Sequence, residues 1–328
     1  MAAPTTTLGP AGPVTGSRSF LSRLREGDEI ARLVTFLFAA TVVFITVLLV
    51  YQLWVNSALP RHKFGFRFFV TSVWDPIMDE YGALPFIYGT LVTSAVALAI
   101  AVPLGIGAAI FLAELAPPRI SDTLQFFIDL LAAVPSVIYG LLGVFIIVPL
   151  MRTVIAPTLI KTLGFLPLFK GPSYGVGFFT AGIVMAIMVI PYIISVSREV
   201  LLSVPRDQRE AALALGSTRW ESTWKVVVPF AKTGIMGSIF LAMARALGET
   251  MAVTMVIGNS PKIAASLFAP GYSIAAVIAN EFTEATGDLY LQSLVYLGLV
   301  LFLLTFLLNG MARLLILATT QKGSKVAA

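Results

Sequence analysis

SVPRDQREAALALGSTRWESTWKVVVP, residues 203–229, is a polar stretch set between two long apolar runs. Its residues spell two short helices. Ser203 is placed to cap the first, Pro205 fits an early helical position, and Asp207 complements the positive helix start. Gly216 stands where a left-handed residue closes that helix. Thr218, followed three residues later by Glu221, makes a capping box for the second. Ala211, Ala212 and Ala214 keep the first helix slim, so another surface can approach its backbone closely.

The apolar runs on either side set the class of the whole chain. Of 328 residues 58% are hydrophobic and 12% charged, and the mean hydropathy is +0.91. Soluble domains average roughly 25% charged residues. Several runs exceed the roughly 18 residues that mark a bilayer-spanning helix, which excludes a soluble protein with a large core. Period-2 alternation is absent and lipid offers the backbone no partners, so helices are the spanning element. The pattern predicts an all-α integral membrane protein with six transmembrane helices, at 31–53, 85–113, 124–151, 173–197, 228–258 and 291–318. Residues 31–318 are then the membrane domain, between a disordered cytoplasmic tail over 1–30 and a cytoplasmic tail over 319–328. The first 17 residues are rich in Pro, Thr and Gly. They do not resemble a signal peptide, because Arg23 and Arg25 mix with Glu26, Asp28 and Glu29 and the apolar run that follows is too long.

Lys and Arg set the orientation. Fourteen fall in segments on the amino-terminal side of the membrane, Arg18, Arg23, Arg25 and Lys325 among them, and seven on the other. This bias places both termini in the cytoplasm. The net charge of +5 is scattered among the loops, which reads as a topology signal with no nucleic-acid footprint. There is no cysteine and one histidine, His62, so thiol chemistry and His-rich metal sites are excluded. Of the outer loops, 54–84 carries the aromatic run FGFRFFVTSVWDP, suited to an interface or a docking surface, and 259–290 carries a short amphipathic helix. Pro135, Gly140 and Gly143 lie inside the third predicted span and read as close packing and local kinks, with PSVIYG a lesser candidate for a pathway lining.

The spacing in 203–229 matches a known pattern: Glu210-Ala211-Ala212, three residues, Gly216, nine residues, Val226, one residue, Val228-Pro229. Valine stands where the pattern prefers Ile and Leu. This resembles the EAA loop of the membrane subunits of ABC-type importers, and it implies a type I importer permease bundle (MetI-like). In that family the loop is a coupling helix seated in a groove of a cytoplasmic ATPase. The resemblance assigns Arg206, Arg209, Glu210 and Arg219 to polar contacts at that joint, with Ala211, Ala212 and Gly216 shaping it and Trp220 anchoring the second helix. The chain has no G-x-x-x-x-G-K-[ST] phosphate loop, so it is not expected to hydrolyse ATP in the usual P-loop manner and reads as a transport subunit without its own ATPase site. No cofactor is expected on it, with ATP and Mg on a partner subunit.

ARALGET, 244–250, puts Arg245 and Glu249 in the fifth predicted span, as the only charges in the run from Thr233 to Gly258, with Arg245 near its midpoint. Arg245 lies roughly 18 Å from the cytoplasmic end at about 1.5 Å per residue. A central arginine costs about 2.5–3.5 kcal/mol on insertion scales, and Glu249 adds to that. One reading pairs the two at i,i+4, worth only about 0.2–0.5 kcal/mol in isolated helices and in the weaker order. The other places both on the central pathway, Arg245 attracting an anion and Glu249 preventing its permanent trapping.

RALGETMAVTMVIGN (245–259), with GALPFIYGTLVTS (82–94), AAVPSVIYGLLG (132–143) and IANEF (278–282), resembles the phosphate-specific ABC permeases of the PstC type over about 30–318. In that family the arginine and glutamate of this span are implicated in phosphate translocation, a role the resemblance carries to Arg245 and Glu249. It also implies a PstA-like second permease, a PstB-like ATPase dimer, a PstS-like phosphate-binding protein, often a PhoU-like regulator, and a multi-pass place in a bacterial plasma membrane. The alternatives are a permease for molybdate or sulfate, or a phosphate-sensing membrane scaffold. An intramembrane hydrolase is disfavoured, with no HExxH and no GxSxG in the chain.

Overall fold

In the computed structural model residues 28–324 are described, with side chains from 30 to 314. The tail expected before residue 28 and its arginines, Arg18, Arg23 and Arg25, lie outside the described residues, as does Lys325.

The described residues divide into two units, one up to Gln52 and the other from Leu53. The described part of the first is a single apolar helix, most of α1 (Asp28–Val55). Its threonines do not leave hydroxyls facing hydrocarbon. Thr35, Thr41 and Thr46 each donate to the carbonyl four residues earlier, at 2.7, 2.8 and 2.9 Å.

The second unit follows in chain order. α2 (Ala58–Phe64) and α3 (Arg67–Val70) lead into a two-stranded antiparallel hairpin, β1 (Trp74–Asp75) and β2 (Glu80–Tyr81), with Trp74 opposite Tyr81. The spans and their connections are α4 (Leu84–Leu115), α5 (Pro118–Ala133), α6 (Ser136–Leu163), α7 (Phe178–Leu202), α8 (Arg206–Ala214), α9 (Arg219–Leu247), α10 (Met251–Val256), α11 (Ile274–Glu281) and α12 (Asp288–Ser324). With α1, the helices α4, α6, α7, α9 and α12 are long and apolar enough to cross a membrane, which makes six. α12 runs through the boundary drawn at 319, so that tail is helical as far as Ser324.

The third span is displaced from its expected place. Instead of one helix over 124–151, the chain makes the amphipathic α5, turns at Val134–Pro135, and spans as Ser136–Leu163. The cause is Pro135, which forces Val134 out of the helical region to φ −66°, ψ 129°. The carbonyls at the end of α5 are met in part from elsewhere, with Leu131 O also accepting from the Val134 N–H at 3.2 Å. Tyr139 of α6 donates to Leu131 O at 2.7 Å, and Tyr192 of α7 donates to Ala132 O at 2.9 Å. The polar face of α5 lies on α7 through Gln125 Nε2 to Ser195 Oγ at 3.0 Å and Ser195 Oγ to Asp129 Oδ1 at 2.9 Å.

Prolines shape the spans in a second way. The π-helical stretches Phe111–Leu115, Gly143–Ile147, Met151–Ile155 and Thr223–Val227 each end two residues before a proline: Pro117, Pro149, Pro157 and Pro229. A widened turn gives the proline ring room against the preceding carbonyls, which a regular α turn would not.

α7 is the central helix, packed on α4, α5, α6, α9 and α10. Glycines set its closest contacts: a Cβ at Gly182 would lie 2.4 Å from Val96, and one at Gly105 of α4 would lie 2.7 Å from Ile193. Gly140 and Gly143 do the same for α6, against Met255 and Val184. The packing reading of these glycines holds.

The loop 54–84, the short helix α11 and the start of α12 form a second core. Its aromatics mostly turn inward: Phe68 stacks on Tyr296 at 4.5 Å, and Trp74 meets Tyr81 and Phe86 edge-on, each at 4.9 Å. Phe66 alone of FGFRFF stays largely exposed, at 79%. Glu281 closes this cluster by accepting from Trp74 Nε1 and Tyr290 OH, both at 2.8 Å. Burial first, then the Asp79 carboxylate, push the Tyr81 hydroxyl up to about 12, so it stays a neutral donor to Asp79.

Candidate functional site

The fifth span is broken where the charges lie. α9 ends at Leu247; Gly248, Glu249 and Thr250 leave the helix, and α10 restarts at Met251. The signal was present in the sequence as a stop followed by a start: Gly248, then two residues with side chains able to cap. A hydropathy window averages straight through such a break.

The break changes the chemistry of the pair. Glu249 Oε1 accepts from the backbone N–H of Ala252 at 3.3 Å, capping α10. Arg245 stays in the last turn of α9, where a cation suits the carbonyl end of the helix dipole. Its guanidinium carbon sits 4.2 Å above the ring of Tyr192. Among the described residues Arg245 and Glu249 form no ion pair, and the buried Nε of Arg245 has no hydrogen-bond partner. A cation–π contact is worth about 0.5–2 kcal/mol, less than the roughly 2.5–3.5 kcal/mol cost of a central arginine. The site therefore holds a half-buried positive charge that its neighbours compensate only in part.

Tyr192 escaped the sequence reading because its two contacts, Ala132 O and Arg245, lie 60 or so residues away on either side. It holds the guanidinium from below and is itself fixed by its hydroxyl. On the expectation that the Arg245 site takes a transported anion, Tyr192→Leu, which removes the ring, should raise its half-saturating concentration by roughly 3–30-fold, while Tyr192→Phe keeps the ring and most of the affinity. Concentration dependence of uptake in the two variants checks this; equal effects would assign Tyr192 to the α5 corner alone.

The loop 203–229 folds largely as its caps dictate. Gly216 takes φ +88° and closes α8. Thr218 Oγ1 accepts from Glu221 N–H at 3.2 Å while Glu221 Oε2 accepts from Thr218 N–H at 3.0 Å, a complete capping box. Two details differ. Ser203 does not cap α8: it is the C-cap of α7, its hydroxyl donating to Val200 O, and Pro205 takes the N-cap position of α8. The second helix is not separate either, since Arg219 begins α9 and runs through the π turn at Thr223–Val227 into the span.

The loop residues divide into two faces. Arg206, Glu210, Ala211 and Gly216 are exposed, and so are Leu213, Leu215 at 89% and Trp220 at 55%. Trp220 anchors no buried core; it packs edge-on against Trp224, itself exposed. Ala212 is buried. Arg209 turns inward, donating through Nη2 to Glu114 Oε1 at 2.8 Å and through Nε to Glu114 Oε2 at 3.2 Å. It also donates to Leu201 O at 2.7 Å and to Val204 O. Two clefts flank this bridge, of about 220 Å³ and 360 Å³, both lined by Glu114 and Arg209. Leu213 and Leu215 were missed as surface residues of the loop, though an apolar pair beside Glu210 on a polar helix was a legible sign.

Residues 101–320 match the family described as "Binding-protein-dependent transport system inner membrane component". The chain is 48% identical to the phosphate transport system permease protein PstC of Mesorhizobium japonicum over 270 residues, 81% of this chain and 83% of the relative. It is 51% identical to the PstC of Pasteurella multocida over 79% of this chain and 82% of the relative. With the PstC of Haemophilus influenzae it shares 45% over 91% and 96%. In fold it resembles a chain of a bacterial ABC transporter involved in the import of the acidic polysaccharide alginate, with TM-score 0.57 and 16% identity over 89% of this chain and 98% of that one. A chain of the MetNI methionine ABC transporter gives TM-score 0.52 and 15% identity over 75% and 99%.

Proposed function

The chain belongs to the PstC family of phosphate transport permeases, within the binding-protein-dependent inner-membrane components, and on that premise we propose how its geometry serves phosphate import. The chain is a multi-pass inner-membrane permease subunit of an ABC-type phosphate importer. Arg245 is the anion contact in the pathway, and the observation that carries this is its unmatched charge: half-buried, over Tyr192, with no acidic partner among the described residues and an unbonded Nε. A phosphate oxyanion supplies the acceptors the protein withholds. Glu249, held on the cap of α10, leaves that charge available; a swing of the carboxylate back toward the guanidinium provides competition that releases the anion. The break at Gly248 is the place where such a swing costs least, because discontinuous spans are where transporters gather substrate.

The partners follow from the same reading. A PstA-like permease completes the pathway and a PstB-like ATPase dimer hydrolyses ATP with Mg. A PstS-like protein delivers phosphate, and a PhoU-like regulator attends the complex. Docking of the ATPase on the exposed face of α8 (Arg206, Glu210 and Ala211) and on Leu215 just beyond it puts that loop in the cytoplasm. Four spans precede it and two follow, so both termini share its side.

The discriminating experiment is competition. In the reconstituted complex, excess unlabelled phosphate should suppress labelled phosphate uptake while sulfate and molybdate leave it within about twofold, consistent with a site that differentiates protonated oxyanions. Transport of sulfate or molybdate in place of phosphate refutes the substrate.

A further inference from the structure

Arg209 stands apart from the other charged residues of the loop because it is already in use. Its guanidinium binds Glu114 through two nitrogens and the carbonyls of Leu201 and Val204 through Nη2 and Nη1. The side chains of Arg209 and Glu114 are 20% and 10% exposed, so water competes little for this contact. Three elements meet in one fork: α8, the carboxyl end of α7, and the π turn that ends α4. Planar, bidentate guanidinium–carboxylate contacts fix orientation as well as distance, which a single lysine contact does not. The tie continues beyond Glu114. Ser121 at the start of α5 donates to Leu112 O of the same π turn at 2.8 Å, and Arg198 of α7 donates to Ser121 Oγ at 3.1 Å.

We infer that Arg209 and Glu114 form the rigid joint through which movement of the coupling helix enters the membrane bundle, so that α8 and the cytoplasmic ends of α4 and α7 travel as one body. Arg209 is then a positioning residue of the transport cycle, not a contact of the ATPase, and Glu114 acquires a role although it lies outside the loop altogether. This rests on the loop being the ATPase seat. Charge placement supports the division of labour: Arg206 and Glu210 remain exposed for a partner while Arg209 and Glu114 satisfy each other.

The test uses the complete importer carrying Glu114→Gln or Arg209→Gln. The ATPase should still co-purify and hydrolyse ATP at a basal rate within about twofold, while phosphate uptake per ATP hydrolysed falls about tenfold, the size expected when one contact of a coupling network is lost. The chain has no cysteine, so Glu114→Cys with Arg209→Cys offers one reactive pair within it. That variant should be uncoupled as isolated and regain coupling when a short bis-maleimide, which forms a thioether at each cysteine, joins the two positions. Normal uptake in Glu114→Gln, loss of ATPase co-purification in either Gln variant, or no recovery on linking each overturns the joint. Glu210→Lys run in parallel separates the two readings: if it leaves ATPase binding and transport intact, the loop is not the seat, whatever Glu114 does.

Discussion

Arg245→Gln is expected to lower phosphate uptake by roughly 100-fold, since a charge-assisted contact contributes about 1.5–3 kcal/mol. The complex should remain assembled, and its thermal midpoint should be unchanged or higher. That second expectation separates a functional charge from a structural one. Burying the guanidinium costs about 2.5–3.5 kcal/mol and the Tyr192 ring returns about 0.5–2 kcal/mol. No ion pair with Glu249 adds to the return. A neutral side chain of similar reach therefore relieves the fold while disabling the site. Arg245→Lys should fall between, keeping the charge but not the fork. Uptake by membrane vesicles and a thermal scan of the purified complex measure the two quantities; a destabilised complex with near-normal uptake would sink the anion role.

Gly216→Val is expected to detach the ATPase by distorting the backbone alone. A Cβ at Gly216 meets nothing within 4 Å, so no steric collision is involved. At φ +88° a β-branched residue is strained by roughly 1–3 kcal/mol, enough to unwind the turn that joins α8 to α9. Gly216→Asn tolerates the left-handed region and should keep most of the coupling. Glu210→Lys attacks the same surface differently, reversing an exposed charge without touching the backbone. Co-purification of the ATPase is the readout for all three. Valine and lysine variants should lose it by tenfold or more, on the scale of a broken hot spot, and the asparagine variant should retain it; equal retention by all three removes the docking role.

What the sequence made legible was local. Gly216 and the Thr218–Glu221 box could be read because each interaction closes within three or four residues. The six spans followed from apolar run length, and the EAA spacing carried the fold. Hydropathy failed at the two interruptions. Pro135 ends α5 on carbonyls that Tyr139 and Tyr192 satisfy, the latter from 60 residues away, and no window over 124–151 contains Tyr192. At Gly248 the span stops and restarts inside an apolar run, so Arg245 and Glu249, four apart in sequence, do not share a helix. Arg209 was assigned to the ATPase for a similar reason: Glu114, 95 residues earlier, is invisible from the loop.

The corner between α5 and α6 has a consequence for how the bundle yields. Two of its last carbonyls are tethered from different helices, Leu131 O by Tyr139 of α6 in addition to its own Val134 N–H, and Ala132 O by Tyr192 of α7. In hydrocarbon each such tether is worth about 0.6–1.5 kcal/mol. The corner therefore yields unevenly: losing Tyr139 leaves Leu131 O bonded to the Val134 N–H, whereas sliding α7 off Ala132 O removes the Tyr192 tether of that acceptor. Because the same Tyr192 ring lies under Arg245, the tether on Ala132 O is the one in contact with the charge.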